Sequence, residues 1–324
     1  MSRTVVVRAP TRIDFGGGWT DVPPYSEIEG GVVCAAAIDR YATVALSDAC
    51  DARPADAIGG DDAPMVRAAL RRARLDDGSV RVRLRSDFPV GAGLGGSSAA
   101  CAALLGALDR WRGLPFDRSA IAERGRQIEV EDLGVPGGRQ DHYCATHGGV
   151  LGLTFGGEVT VHRIPASPAL RTALAQRCVL VYTGESRISG DTITGVLEGY
   201  RRGENRVTFA LKRMRELARR MIAALEASDV DALGALVGEH WTHQRTLHPA
   251  IPTPRIDAIV ERAVAAGALG AKATGASGGG CVVAIARAGT EAAVRRAVGA
   301  LGELVPFTID DAGLVECDWN AETP

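Results

Sequence analysis

The stretch Pro89 to Ala100, PVGAGLGGSSAA, constrains this chain more than any other. Its glycines, at 91, 93, 95 and 96, allow positive φ and let the backbone come close to a ligand. They run straight into SSAACAALLGALDRW, rich in Ala and Leu, which reads as a buried helix opening at Ser97 and Ser98. A helix start offers unpaired N–H groups and a partial positive charge. Amides feeding such a start suit an anion, most often phosphate. The plainer alternative is a tight turn before a core helix, with a serine as cap. The Walker pattern is excluded, because it needs Gly-Lys-Ser/Thr and the only lysines are Lys212 and Lys272. Gly91, Gly93 and Gly96 match G-x-G-x-x-G, but a dinucleotide fold wants a strand running directly into the first glycine. Pro89 interrupts that approach. Asp117, near the offset of a ribose-binding acid, precedes the helical pattern SAIAERGRQIEVE and reads as a helix start.

The rest of the chain sets the frame. At 324 residues, 46% hydrophobic and 23% charged, it has an ordinary globular composition and the length for two domains. A net charge of −2 gives no reason to expect nucleic acid or an anionic membrane as partner. No apolar run approaches a membrane span, and MSRTVVVRAP is not a signal peptide, so a cytoplasmic location is expected. Seven scattered cysteines without a C-x-x-C pair read as reduced core residues. His142, His147, His240, His243 and His248 show no metal-site spacing, and no G-x-S-x-G elbow supports a hydrolase.

Val5–Arg8 is a strand candidate running into the turn DFGGGWTD, and Val32–Leu46 reads as one or two strands. Asp48–Pro64, rich in Asp, Ala, Gly and Pro, reads as an exposed loop. Val80, Val82 and Leu84 alternate with arginines as a half-buried strand. Ser119–Leu133 reads as a helix ending at GVPGG, and GGVLGLTF with EVTVHRI as a hairpin. A Pro-containing stretch near Arg163–Leu170 marks the expected domain boundary, giving domains 1–165 and 166–324. Beyond it come a buried strand at Cys178–Tyr182, helices over Asn205–Ala227, Val230–Leu247 and Arg255–Ala266, and a second glycine-rich loop at Ala271–Gly280. A strand CVVAIA, a helix at Glu291–Leu301 and a last strand near Val305–Ile309 complete the pattern. Strands and helices mix without strict βαβ alternation, which argues α+β.

Three segments in order carry a resemblance: APTRIDFGGGWTD (Ala9–Asp21), PVGAGLGGSSAA, and GASGGG (Gly275–Gly280). Together they resemble the GHMP family of small-molecule kinases, along nearly the whole chain. The resemblance implies a two-lobed α+β fold, with a ribosomal-protein-S5-like N-terminal lobe, a ferredoxin-like C-terminal lobe, and the active site between them. It implies ATP and Mg2+ as cofactors. The triphosphate cradle would be Pro89, Gly91, Ala92, Gly93, Leu94, Gly95, Gly96, Ser97 and Ser98, with Gly275, Ser277 and Gly278 from the third motif. Ser98 matches the family serine that contacts magnesium. The acidic ligand, counted back from Pro136, is Glu129, with Glu131 as the rival. Asp141, in GGRQDHYCATHGG, matches the family's catalytic aspartate, which accepts or orients the hydroxyl proton. Arg12 matches an arginine that pairs with that aspartate and stabilises charge on the moving phosphoryl group.

For the acceptor, the resemblance implies a pocket from Asp14, Gly17, Gly18, Trp19, Thr20 and Asp21, with Arg139, Asp141 and Arg187. Asp21 aligns with a sugar-binding aspartate of galactokinase. The Glu-His pair of galactokinase is Gly18-Trp19 here, which argues against galactose. GGGWTDVPPY, GGRQD and TGESRISG are more similar to the branch of heptose 7-phosphate kinases and fucose-salvage kinases. The expected acceptor is a sugar or sugar phosphate taken at its anomeric hydroxyl, first a heptose 7-phosphate giving the 1,7-bisphosphate. An octose 8-phosphate, fucose or another hexose stays open, as does a catalytically inactive nucleotide-binding member. An already phosphorylated sugar needs a cation, for which Arg139 and Arg187 are the candidates. The expected assembly is a monomer or homodimer.

Overall fold

The computed structural model describes residues 3–49, 63–185 and 190–319. Two antiparallel sheets organise the chain. In the first, β10 (Val315–Glu316), β1 (Thr4–Gly16), β2 (Gly31–Asp48), β4 (Val150–Phe155) and β5 (Thr160–Ile164) lie side by side, and β3 (Val80–Ser86) also pairs with β2. The second has the order β7-β8-β6-β9, from Ala268–Ala273, Cys281–Ala286, Cys178–Tyr182 and Glu303–Leu304. Among the described residues no helix is long and apolar enough to cross a membrane. The six described cysteines are all free thiols.

β1 is longer than the sequence predicts. It passes through the first motif to Gly16, paired to β2 from Thr4↔Ser47 to Gly16↔Cys34. Its register shifts between Pro10 and Thr11, where proline withholds a ladder hydrogen bond. There β2 carries two extra residues, Asp39 and Arg40, between the partners Tyr41 and Ile38, and such a bulge bends and twists the pair. Val7 and Ala9 accordingly join the core around helix α3 (Gly96–Trp111), while Ile13 and Phe15 join the core shared with helix α8 (Asn205–Glu226), β6 and β8. Arg12 and Asp14 alternate with that second apolar pair.

α3 is buried on nearly every side, as its alanines allow. Helix α4 (Arg118–Gln127) starts at Asp117, whose side chain accepts from the Ala120 amide at 3.0 Å, as its sequence signature implies. It runs on into one π-helical turn, Ile128–Asp132. Helix α9 (Val230–Gln244) packs between α8 and β7, and α8 lies against β1 and β2, so this helix pair ties the two sheets together.

The hairpin β4–β5, β3, β6, β8, α8 and α9 fall where the sequence places them, as do helix α10 (Pro254–Ala265) and helix α11 (Glu291–Gly299). The last strand does not. Sheet pairing falls instead at Glu303–Leu304, and Ile309 makes a single bridge to Ile38. The pattern also misses helix α6 (Pro168–Arg177), because Pro168 reads as a breaker. Here it occupies the first turn behind a Ser167 cap that accepts from the Leu170 amide at 3.1 Å. We propose the lobe division at residue 165, between β5 and α6, although the chain returns to the first sheet at β10. The expected loop at Asp48–Pro64 falls largely outside the described residues.

Candidate active site

The three motifs meet at the start of α3. The Arg12 amide donates to the Leu94 carbonyl at 3.0 Å, and the Cys281 amide to the Ala92 carbonyl at 2.8 Å. A Cβ at Gly275 would sit 2.9 Å from the Gly93 carbonyl, so the third motif lies backbone to backbone on the phosphate loop. Ser277 and Gly278 are buried beneath this contact. The Ser277 hydroxyl accepts from Gln244 Nε2 at 2.9 Å, and the Gly278 amide donates to the Ile251 carbonyl at 3.1 Å.

Within the phosphate loop, Ala92 and Leu94 point into the core, and Gly91, Gly93 and Gly95 take positive φ between them. Gly95 caps α3 with φ 74°, and the first intrahelical bond runs from the Ala99 amide to the Gly95 carbonyl at 2.9 Å. Among the described residues the amides of Gly96, Ser97 and Ser98 have no acceptor, as an anion-binding helix start requires. Ser97 is exposed and Ser98 buried.

Asp141 lies in the first turn of helix α5 (Gln140–His147). Arg12 grips only one of its oxygens, with Nε at 2.8 Å and Nη2 at 2.7 Å from Oδ1. Among the described residues Oδ2 accepts no hydrogen bond, and it faces the phosphate loop: a Cβ at Gly95 would lie 3.1 Å from it. Arg12 itself is almost fully buried, and its Nη1 donates to the Gly93 carbonyl at 2.7 Å. Burial alone would push its guanidinium down, but the carboxylates of Asp141 and Asp14 outweigh that and hold it above its ordinary value. Its donors are spent on Asp141 and on the Gly93 carbonyl of the loop.

Asp21 is buried too. Its Oδ2 accepts the backbone amides of Arg139 at 2.8 Å and Gln140 at 3.0 Å, which ties the first motif to the start of α5. Gly138 is required there, since a Cβ would fall 1.9 Å from Asp21 Oδ2. Burial, opposed by the Gln140 amide and reinforced by Asp141 and Asp14, pushes the Asp21 carboxyl up to about 6.

The rest of the expected acceptor pocket divides. The Thr20 hydroxyl is turned inward to the Gly17 and Val32 carbonyls. Gly17 packs on Val32, and its amide donates to His240 Nε2 at 2.9 Å. Asp14 lies behind Gly18 and pairs with Lys272. These contacts build the turn. Trp19, at φ 80°, keeps a buried indole N–H with no partner among the described residues. Gln140 Oε1 and Arg139 Nη1 are buried and unpaired as well. Arg187 lies outside the described residues.

For magnesium, the π-helical turn separates the two candidate glutamates. Glu131 points outward and pairs with Arg72 at 2.8 Å. Glu129 turns in, where its Oε2 meets His142 Nε2 at 3.1 Å and its carboxylate lies close to Gly137. Its Oε1 has no hydrogen-bond donor among the described residues. One free carboxylate oxygen plus the Ser98 hydroxyl fits an ion that takes few protein ligands and keeps phosphate oxygens and water for the rest.

Sequence reasoning gave no part to Lys272, His142 or His240. Lys272 is fully buried, and its Nζ donates to the Asp14 carbonyl at 2.8 Å and to Oδ2 at 3.0 Å. Burial, opposed by Asp14, leaves the Lys272 ammonium below its ordinary value. Burial and the Lys272 charge push the His240 imidazole down to about 3, so it is neutral and accepts the Gly17 amide.

An amide-lined loop at a helix start, with an arginine-held carboxylate against it, defines a kinase of small molecules. The chain belongs to the GHMP kinase family: the GHMP kinases N terminal domain matches residues 63–149, and the GHMP kinases C terminal domain matches residues 221–304. It is an ATP-using phosphotransferase with an alcohol group as acceptor. It is similar to the D-glycero-alpha-D-manno-heptose 7-phosphate kinase of Campylobacter jejuni, 26% identical over 303 residues, covering 86% of this chain and 88% of that one. It is 28% identical over 335 residues to the L-fucokinase/L-fucose-1-P guanylyltransferase of Bacteroides fragilis, covering 89% of this chain but only 35% of that longer protein. A solved D-glycero-D-manno-heptose 1-phosphate kinase from Bacteroides thetaiotaomicron superposes with a TM-score of 0.76 at 25% identity, covering 98% of this chain and all of that one.

Proposed function

We propose that this protein transfers the γ-phosphoryl group of ATP to the anomeric C1 hydroxyl of a sugar phosphate, a heptose 7-phosphate giving the 1,7-bisphosphate. The observation that carries the reading is Asp141: one oxygen held by Arg12, the other facing the phosphate loop across Gly95. The relatives of C. jejuni and B. thetaiotaomicron support the sugar class by their names.

The residues divide the work as follows. The amides of Gly96, Ser97 and Ser98, with the α3 dipole, hold the phosphates. Asp141 Oδ2 accepts the proton of the C1 hydroxyl as its oxygen bonds to the γ-phosphorus. The bond from that phosphorus to the bridging oxygen breaks, and ADP leaves with the electron pair. Arg12 keeps Asp141 aimed, and Asp21 fixes the start of α5. Glu129 and Ser98 would hold Mg2+, which when bound neutralises charge on the phosphates.

ADP release with Mg-ATP tests the proposal on D-glycero-D-manno-heptose 7-phosphate, an octose 8-phosphate, mannose, fucose, galactose and mevalonate. Turnover of the heptose phosphate with C1 phosphorylation supports it. Turnover of a free hexose alone keeps the kinase and overturns the phosphorylated acceptor. ATP binding without any turnover overturns the enzyme reading.

A further inference from the structure

Arg126 has no hydrogen bond or ion pair among the described residues, and its buried Nε meets no acceptor. It lies on α4 three residues after Glu123, and so on the same face of that helix. Glu123 reaches across to the α5 side, taking Arg139 Nε at 3.3 Å through Oε2 and the Tyr143 hydroxyl at 2.9 Å through Oε1. Arg139 uses that one nitrogen, and its Nη1 is buried with no partner. Glu123 thus brings Arg139 to the face of α4 that carries Arg126. Burial first, and then the charge of Arg139, hold the Arg126 guanidinium below its ordinary value, with Glu123, Glu27 and Glu129 opposing. Glu123 takes up only the Arg139 Nε, so Arg126 Nε and Arg139 Nη1 stay buried without an acceptor, which a bound anion would supply. Their place is set by the site: the Arg139 amide binds Asp21, and Arg139 stands two residues before Asp141. Arg126 stands on α4, and Arg139 caps the start of α5, the helix that carries Asp141 in its first turn.

We propose that Arg126 and Arg139 together form a phosphate subsite for the acceptor, gripping the phosphate that the sugar already carries at the end away from its reacting hydroxyl. Planar guanidiniums present paired N–H groups matched to phosphate oxygens, and two of them enclose a dianion from two sides. The subsite rests on the proposed sugar-phosphate reading and adds a residue, Arg126, that selects phosphorylated over free sugar.

The test uses the whole protein with Mg2+ and a non-hydrolysable ATP analogue. Titration calorimetry measures binding of D-glycero-D-manno-heptose 7-phosphate and of the unphosphorylated heptose to wild type, Arg126→Gln and Arg126→Lys. Wild type prefers the phosphate ester. Arg126→Gln lowers that preference on the order of 10- to 100-fold, the range of a lost charge-assisted contact, and Arg126→Lys recovers part of it. An unchanged preference in Arg126→Gln overturns the subsite and leaves the sugar-phosphate reading standing. If Arg126→Gln does not fold, Arg126→Lys decides: without the fork the preference drops several-fold, and no drop overturns the proposal. Wild-type binding of free sugar alone overturns both the sugar-phosphate reading and the subsite.

Discussion

Replacing Lys272 with methionine removes a charge from the interior and leaves its partner behind. Lys272 and Asp14 are both almost fully buried, 3.0 Å apart, with Nζ also on the Asp14 carbonyl at 2.8 Å. Burial alone would raise the Asp14 carboxyl, but Lys272, with Arg12 behind it, holds it below its ordinary value. Methionine keeps the length and apolar stem of lysine, so lost packing contributes little. The cost is an uncompensated buried carboxylate, about 3–5 kcal/mol. Arg12 lies close enough to act on Asp14, which argues for the lower end. The double variant Asp14→Asn/Lys272→Met removes both charges and should recover most of that loss, since neutral replacement of a buried pair is often tolerated. Urea unfolding, followed by circular dichroism and tryptophan fluorescence, measures both, and the two probes must coincide before a single free energy is extracted. The reasoning is refuted if Lys272→Met stays within about 1 kcal/mol of wild type, or if the double variant is no more stable than the single one.

Asp141→Asn should lower kcat about 10²–10⁴-fold while leaving binding of an ATP analogue intact, measured by single-turnover kinetics beside calorimetry. His142→Ala should raise the Mg2+ concentration for half-maximal activity about 10- to 100-fold, because it frees Glu129 from the bond at 3.1 Å that aims it; an unchanged requirement would remove His142 from the site. Asp21 titrates in the opposite sense to most carboxylates. Its native value is raised to about 6, so its contribution to stability is full below 3.8 and lost as pH rises through 6. Relative to Asp21→Asn, wild type should therefore lose melting temperature between pH 4 and 7, and parallel curves for the two proteins would refute this.

What the sequence made legible is what short-range pattern carries. The phosphate loop announces itself because glycines, a small-residue helix and two serines stand next to one another. Asp117 is readable as a cap because the amide that donates to it, that of Ala120, lies three residues on. The Lys272–Asp14 pair was not readable, since its members are 258 residues apart and lysine in an alanine-rich strand gives no sign of a buried partner. Glu129 was preferred to Glu131 by the count from Pro136, not by any sign of which one faces inward. An α-helical count places two residues two apart on different faces, but it does not say which face turns inward, and the π-helical turn resets the phase at that point. Arg12 was found, yet its burial was not, because β1 was expected to end before it.

The length of β1 explains how the site is held. A strand that stopped at Arg8 would leave the first motif as a loop, with Arg12 and Asp14 free to move. Continued to Gly16 and bent at Pro10–Thr11, the strand anchors Ile13 and Phe15 in the core shared with the second sheet. Residues alternating with those anchors cannot drift independently of them. Arg12 then reaches Asp141 on α5, and Asp14 reaches Lys272 on β7, so one rigid strand sets the position of elements from both halves of the chain. The four side chains alternate in sign, Lys272, Asp14, Arg12, Asp141, and only the last has an oxygen turned to the phosphate loop. The three buried charges carry a net positive charge that the Asp141 carboxylate completes, and they hold it fixed with one oxygen toward the phosphate loop, the preorganisation that the proposed phosphoryl transfer asks of a protein.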